Sequence, residues 1–175
     1  MTAVKKMSRA AKFTLWMMSI AAVVLLDQYT KQLVVKMLKP IGSYPLWKDV
    51  FHLTYAENTG AAFGILKDAR WVFMVLSSIA IIGIIIYMIV ESGRISAFAG
   101  TALAFIAGGG IGNMIDRIKV GYVVDFFDFT LINFAIFNVA DSFVTIGAAM
   151  MILYLLVTEI KQAKKNGETE IHAGE

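Results

Sequence analysis

From position 71 to position 90 the chain reads WVFMVLSSIAIIGIIIYMIV, twenty residues without a charge. At 1.5 Å per residue, such a helix spans about 30 Å, the thickness of a bilayer's hydrocarbon core. A helix that is apolar on every face needs either a large protein core or lipid around it, and 175 residues do not supply the former. Hydrophobic residues make up 58% of the sequence and the mean hydropathy is +0.71, more than a soluble core of this size requires. The surplus falls in three further runs. The expected fold is therefore membrane all-α: four transmembrane helices at about 13–38, 71–90, 95–115 and 137–158, in a single polytopic domain covering 1–175.

Between the runs, 39–70 and 116–136 are polar enough to lie outside the bilayer. Pro40, Gly42 and Pro45 read as helix breakers. Phe51, Leu53 and Tyr55 then alternate with His52, Thr54 and Ala56 in the period-two pattern of a half-buried strand. The stretch 121–129, GYVVDFFDF, alternates loosely and is expected to pair with it in a small extracytoplasmic β-sheet on the membrane surface. The tail 159–175, with Lys161, Lys164 and Lys165, reads as polar, cytoplasmic and frayed.

Lys5, Lys6, Arg9 and Lys12 precede the apolar stretch 13–26 in the manner of a secretory signal. No small-x-small cleavage site follows Leu26, and helical character continues to Leu38, so an uncleaved first span is expected. Four spans put both termini on one side. Lysines and arginines divide evenly between the two sides, but the four basic residues and no acid before the first span place the termini in the cytoplasm. The formal charge of +3 and pI of about 9.1 come from lysines at the termini and beside spans, which fits orientation and not nucleic-acid binding. With no cysteine there is no disulfide, thiol nucleophile or cysteine-held metal. His52 has no partner at ligand spacing, so neither metal nor cofactor is expected.

The candidate chemistry lies in 122–141, YVVDFFDFTLINFAIFNVAD, where Asp125 and Asp141 sit among aromatic and β-branched residues. Stripping a carboxylate of water costs several kcal/mol unless it is paired, hydrogen-bonded or protonated. Asp128 competes with Asp125, but three residues apart on a strand they face opposite sides. Asp141, beside Asn138 at the start of the fourth span, has a plainer reading as a helix cap favoured by the dipole. Asp27 and Lys31, four apart on the first span, must face protein or water, either anchoring the helix end or bracing a site.

In the third span Ser96, Gly100, Ala104, Gly108 and Gly112 recur every four residues, a stripe that admits close helix approach. Gly108, Gly109 and Gly110 each lower helix propensity by about 1 kcal/mol relative to alanine, so a compensating contact with a helix or a substrate is expected. Asn113 and Arg117, with Asp116 between them, read as a polar helix end or part of a site. Asn58, in the turn AENTGAAFG at 56–64, can both donate and accept hydrogen bonds.

Two carboxylates held close do not both ionise readily. The ionised one can act as base toward water while its protonated partner polarises a carbonyl. No serine has a histidine base in an evident motif. The residues alone leave two readings open: an aspartate-based hydrolase at the outer membrane surface, or a small transporter moving protons on intramembrane carboxylates.

Five motifs narrow the choice: DQYTK at 27–31, ENTGAAFG at 57–64, GGGIGNMIDR at 108–117, VVDF at 123–126 and FNVADS at 137–142. In that order, on four spans, they resemble the lipoprotein signal peptidase (signal peptidase II) family over nearly the whole chain. The resemblance implies a bacterial inner-membrane aspartyl endopeptidase that cuts a prolipoprotein just before a cysteine carrying diacylglycerol. It carries the catalytic roles onto Asp125 and Asp141 and none onto Asp128. It carries supporting roles onto Asn58, Asn113, Arg117 and Asn138, and it matches Asp27 and Lys31 to a first-helix pair. It also implies an extracytoplasmic sheet that cradles substrate. The expected partners are diacylglyceryl-modified prolipoprotein and membrane lipid, with no nucleic acid and a monomeric chain. A lipid-anchored cysteine presents its bond at the interface, so the site is expected at the outer face, with Gly108 to Gly112 admitting the substrate's signal helix.

Overall fold

The computed structural model describes residues 7–60 and 70–173, with side chains at 7–60 and 71–166. Lys5, Lys6 and Gly64, used above to read orientation and the turn after Asn58, lie outside the described residues, as do the rest of 1–6 and 61–69 and residues 174–175. The elements in order are α1 (Arg9–Met37), β1 (Ser43–Trp47), β2 (Phe51–Asn58), α2 (Arg70–Val90), α3 (Ala97–Lys119), β3 (Val123–Asp128), a 3-10 turn (Thr130–Ile132) and α4 (Val139–Ala173). Among the described residues, four helices are long and apolar enough to cross a membrane. The exposed side chains of α2, among them Val75, Leu76, Ile79, Ile82 and Ile86, form the surface that a bilayer would solvate.

The most buried helix, α3, packs mainly against α4 and α1. Its small residues explain this. A Cβ at Gly100 would strike the Trp16 ring, at Gly108 it would lie 2.9 Å from Val23 Cβ, and at Gly112 it would strike Asp27, all on α1. On the adjoining face Gly109 meets the Ala140 carbonyl and Val144 of α4. The close approach expected of a substrate helix along Gly108 to Gly112 is thus already taken by the chain's own α1 and α4. Ser96 is not part of the stripe; it caps α3, its side chain accepting from the Ala99 N–H.

Two helices outrun their expected ends. α3 continues to Lys119 because MIDRIK favours helix and its last turn carries Arg117 and Lys119, complementing the dipole; it stops at Gly121, whose φ of 90° suits a residue just past a helix end. The tail expected to fray is helical to Ala173, since Glu, Lys, Gln and Ala dominate it and no proline interrupts it.

The sheet is antiparallel in the order β1-β2-β3. Its β2–β3 pairing sets Ala56 opposite Asp125 and Asn58 opposite Val123. β1 was not expected, because Pro45 reads as a breaker. A proline is tolerated on an edge strand where its missing N–H costs no ladder bond, and the register shifts between Pro45 and Trp47. A cluster of Val34 from α1, Leu38 at its C-terminal cap, Val124 and Phe126 from β3, and Val139 from α4 seals the sheet to one end of the bundle.

This packing predicts that Gly109→Ala lowers stability by about 1–3 kcal/mol, since backbone opposes the new methyl. Gly83→Ala, whose Cβ meets nothing within 4 Å, gains helix propensity without a clash and should be as stable as the parent or more stable by up to about 1 kcal/mol. Thermal unfolding in a fixed detergent distinguishes them, and equal stability of the two variants would refute the packing account.

Candidate active site

Asp125 lies in β3 with 2% of its surface exposed. Its Oδ2 accepts from Asn58 Nδ2 at 2.9 Å, a contact set by the β2–β3 pairing, and its Oδ1 accepts from Asn138 Nδ2 at 2.6 Å. Asn138 immediately precedes α4 and begins it: Oδ1 accepts the Asp141 N–H at 2.9 Å, while Asp141 Oδ2 accepts the Asn138 N–H at 3.2 Å. This is the reciprocal capping box, with Asn and Asp in place of the usual Ser and Glu. Asp141 is therefore a helix cap through one oxygen, and the other, Oδ1, accepts from Asn113 Nδ2 at 2.7 Å.

Both carboxylates line one cavity of about 590 Å³, together with Asn58, Asn113, Arg117 and apolar side chains such as Phe73 and Phe137. Arg117 donates from Nη2 to the Gly60 carbonyl at 3.3 Å, and its guanidinium stands 5.3 Å from the centre of the Phe73 ring. Burial is the first cause that raises Asp125, and the negative charge of Asp141 is the second. Hydrogen bonds from Asn58 and Asn138 and the charge of Lys31 oppose them, leaving Asp125 at about 7.

Behind this wall, Asp27 and Lys31 are 0% and 3% exposed, so they do not anchor a helix end in the interface. Lys31 Nζ contacts Asp27 Oδ2 at 2.9 Å, Asp116 Oδ2 at 2.8 Å and Asn113 Oδ1 at 2.8 Å. Asp27 Oδ1 accepts the Ala140 N–H of α4, and Asp116 Oδ2 accepts the Val124 N–H of β3. Gln28 Nε2 joins the cluster, donating to Asp116 Oδ1 at 2.9 Å and to the Gly112 carbonyl.

Of the residues singled out in the sequence, Asn58, Asn113, Arg117, Asp125 and Asp141 meet at the cavity. Asn138 is wholly buried and bonded to both carboxylates. Asp27 and Lys31 stand behind Asn113, and Gly108 faces α1. Asp128 is elsewhere, accepting from Thr54 Oγ1 at 2.7 Å. Sequence reasoning missed the part played by Asp116 and Gln28. A signal for Asp116 was present: it is the next step of the every-four stripe after Gly112, and so shares the side of α3 that meets α1.

Comparison with known proteins agrees with this architecture. Residues 19–157 match the family model for signal peptidase (SPase) II. A lipoprotein signal peptidase of Brevibacillus brevis is 51% identical over 140 residues, which are 79% of this chain and 93% of that one. The protein of the same name from Clostridioides difficile is 37% identical over 147 residues, 84% of this chain and 98% of its own. Two solved bacterial membrane enzyme structures obtained by the in meso method are similar, with TM-scores of 0.73 and 0.72 at 33% and 34% identity. They cover 82% of this chain, and 88% and 93% of theirs. The matched region takes in every described side chain of the cavity, and the chain belongs to the signal peptidase II family.

Proposed function

We propose that this chain is an aspartyl endopeptidase that removes the signal peptide from diacylglyceryl-modified prolipoproteins, cutting just before the lipidated cysteine. Membership of the signal peptidase II family supports a peptidase acting on prolipoproteins in a membrane. The observation that carries the aspartate reading is the pairing of Asp125 and Asp141 in one cavity, with each of their four oxygens accepting an N–H. The side-chain donors are amides, which cannot serve as bases at neutral pH, so the two carboxyl groups are the acid–base pair available to a bound peptide.

In this reading a water molecule lies between the two carboxyl groups. Asp141, at the N-terminus of α4 where the helix dipole favours negative charge, takes a proton from it as the oxygen attacks the scissile carbonyl. Asp125 carries the shared proton and donates it toward the carbonyl oxygen, where negative charge develops. On collapse of the tetrahedral intermediate the C–N bond breaks. The proton held by Asp141 passes to the leaving amine, and Asp125 recovers its own proton from the intermediate's hydroxyl. Arg117 holds the 58–60 turn at the rim through the Gly60 carbonyl. The sheet end of the bundle faces outward from the cytoplasmic membrane and the termini face inward. In this reading the active form is a monomer, since the described residues of the cavity all come from one chain.

Purified enzyme and a diacylglyceryl-modified precursor test the proposal. Asp125→Asn and Asp141→Asn should each lower kcat/KM by about 10²–10⁴-fold; normal processing by both would overturn the assignment. Proton-coupled uptake into sealed vesicles, abolished by the same substitutions and without cleavage, would instead favour transport.

The pH dependence has a definite sign. Asp125 has its folded value raised from 3.8 to about 7, so its stabilising contribution is complete below 3.8 and is lost as pH rises through about 7. The protonated form needed in the reaction disappears over the same upper range. Activity should therefore fall on the alkaline side with a midpoint near 7, and a flat rate across that region would remove the acid role from Asp125.

A further inference from the structure

The cavity's amides have a polarity, and its origin is not the same for all three. Asn58 and Asn138 each present Nδ2 to Asp125 because their Oδ1 atoms accept backbone N–H groups, from Gly60 at 2.9 Å and from Asp141 at 2.9 Å. Backbone donors cannot turn round, so those two orientations are fixed by the chain itself. Among the described residues, no backbone N–H donates to Asn113 Oδ1. That oxygen accepts from Lys31 Nζ at 2.8 Å and, more weakly at 3.1 Å, from the second hydrogen of the Asn138 amide whose first goes to Asp125 at 2.6 Å, so Lys31 supplies the shorter, charged bond of the two.

We infer that Lys31 is a positioning residue which, as the charged and closer of two donors to Asn113 Oδ1, holds that amide so that its N–H and not its carbonyl oxygen meets Asp141. An ammonium has three donors and no acceptor. The atom of Asn113 facing Lys31 is therefore the carbonyl oxygen, and the NH₂ group points to Asp141 Oδ1 at 2.7 Å. Turned over, the amide would bring its oxygen against a carboxylate oxygen, which repels the ionised form. Lys31 has no freedom to leave: its other two contacts go to Asp27 and Asp116, and each of those acids accepts a backbone N–H from the element that bears one carboxylate of the pair, Ala140 on α4 and Val124 on β3. Among the described residues, the charged groups around the pair are Arg117 on α3, Lys31 on α1, and Asp27 and Asp116 behind them. The positive charge of Lys31 reaches Asp125 as well.

This inference rests on the aspartyl-peptidase reading. The test uses full-length enzyme in a fixed lipid–detergent mixture with the lipid-modified precursor. Lys31→Met should lower kcat by about 10- to 100-fold with KM changed less than about threefold, the effect of losing one hydrogen bond to a charged group. Because it strands two buried acids, the charge-compensated pair Asp27→Asn with Lys31→Met provides a second variant, with thermal unfolding to report folding. In both, the side-chain N–H resonances of Asn113, followed by ¹⁵N-asparagine labelling, should lose the downfield shift that hydrogen bonding to a carboxylate imposes, a change that a lower folded fraction does not produce. Parental kcat in either folded variant, or an unchanged Asn113 signal, overturns the inference. If neither variant folds, Lys31→Arg, which keeps the charge but places its donors differently, takes their place: a moved Asn113 N–H signal with lowered kcat supports the inference, and parental values of both overturn it. Full activity of Asp125→Asn and Asp141→Asn would be a failure of the peptidase mechanism itself, distinguishable from a failure confined to Lys31.

Discussion

One ammonium group joins the parts of this protein that lie far apart in sequence. Lys31 on α1 holds two carboxylates, Asp27 and Asp116, and those carboxylates hold the first turn of α4 and the strand β3 by their backbone N–H groups. Removing one member of a buried charged set is typically destabilising by about 3–5 kcal/mol, because the survivors keep their desolvation cost without their partners. Here every member is satisfied: three contacts leave the ammonium, and both oxygens of each acid accept a bond. The cluster stands behind the cavity wall, so the position of the wall depends on it while the cavity itself is left to Asp125, Asp141 and their amides.

The glycines of α3 make that cluster possible. A residue larger than glycine at 112 would occupy the place of the Asp27 carboxylate, and one at 109 would push α4 away at the point where Ala140 presents its carbonyl. In a bilayer the attraction between helices comes from close van der Waals packing and polar bonds, with no hydrophobic drive to assist. The small-residue faces and the buried ions are thus two halves of one requirement: helices close enough for short side chains to span the gap, and polar groups worth bringing together.

Much of this was legible in the sequence. The charge-free run of α2 announced a membrane span, since no other environment suits it. The pairing of β2 with β3 followed from two alternating stretches, and Asp125 and Asp141 stood out as acids among aromatics. What was hidden depended on neighbours distant in sequence. Pro45 reads as a breaker until β1 is seen to be an edge strand. Asp116 looks like part of a polar helix end until α1 is laid along the stripe that it continues. The Asp27–Lys31 pair has the spacing of an interfacial anchor and of a brace alike, and only burial separates the two. The tail after Glu159 looked frayed on polarity, although its helix-forming residues outweigh its lack of apolar content.

The capping box at the start of α4 has a consequence for mechanical stiffness. Asn138 and Asp141 begin that helix by bonding to each other, and the Asn138 side chain also grips Asp125. The separation of the two carboxylates is therefore set by a helix start and one amide, and no flexible connection intervenes. To spread them, the protein would have to break the buried 2.6 Å hydrogen bond from Asn138 to Asp125 or disturb the first turn of a helix that continues to Ala173. The gauge between the acids is thus written into the start of a helix and the one amide that caps it.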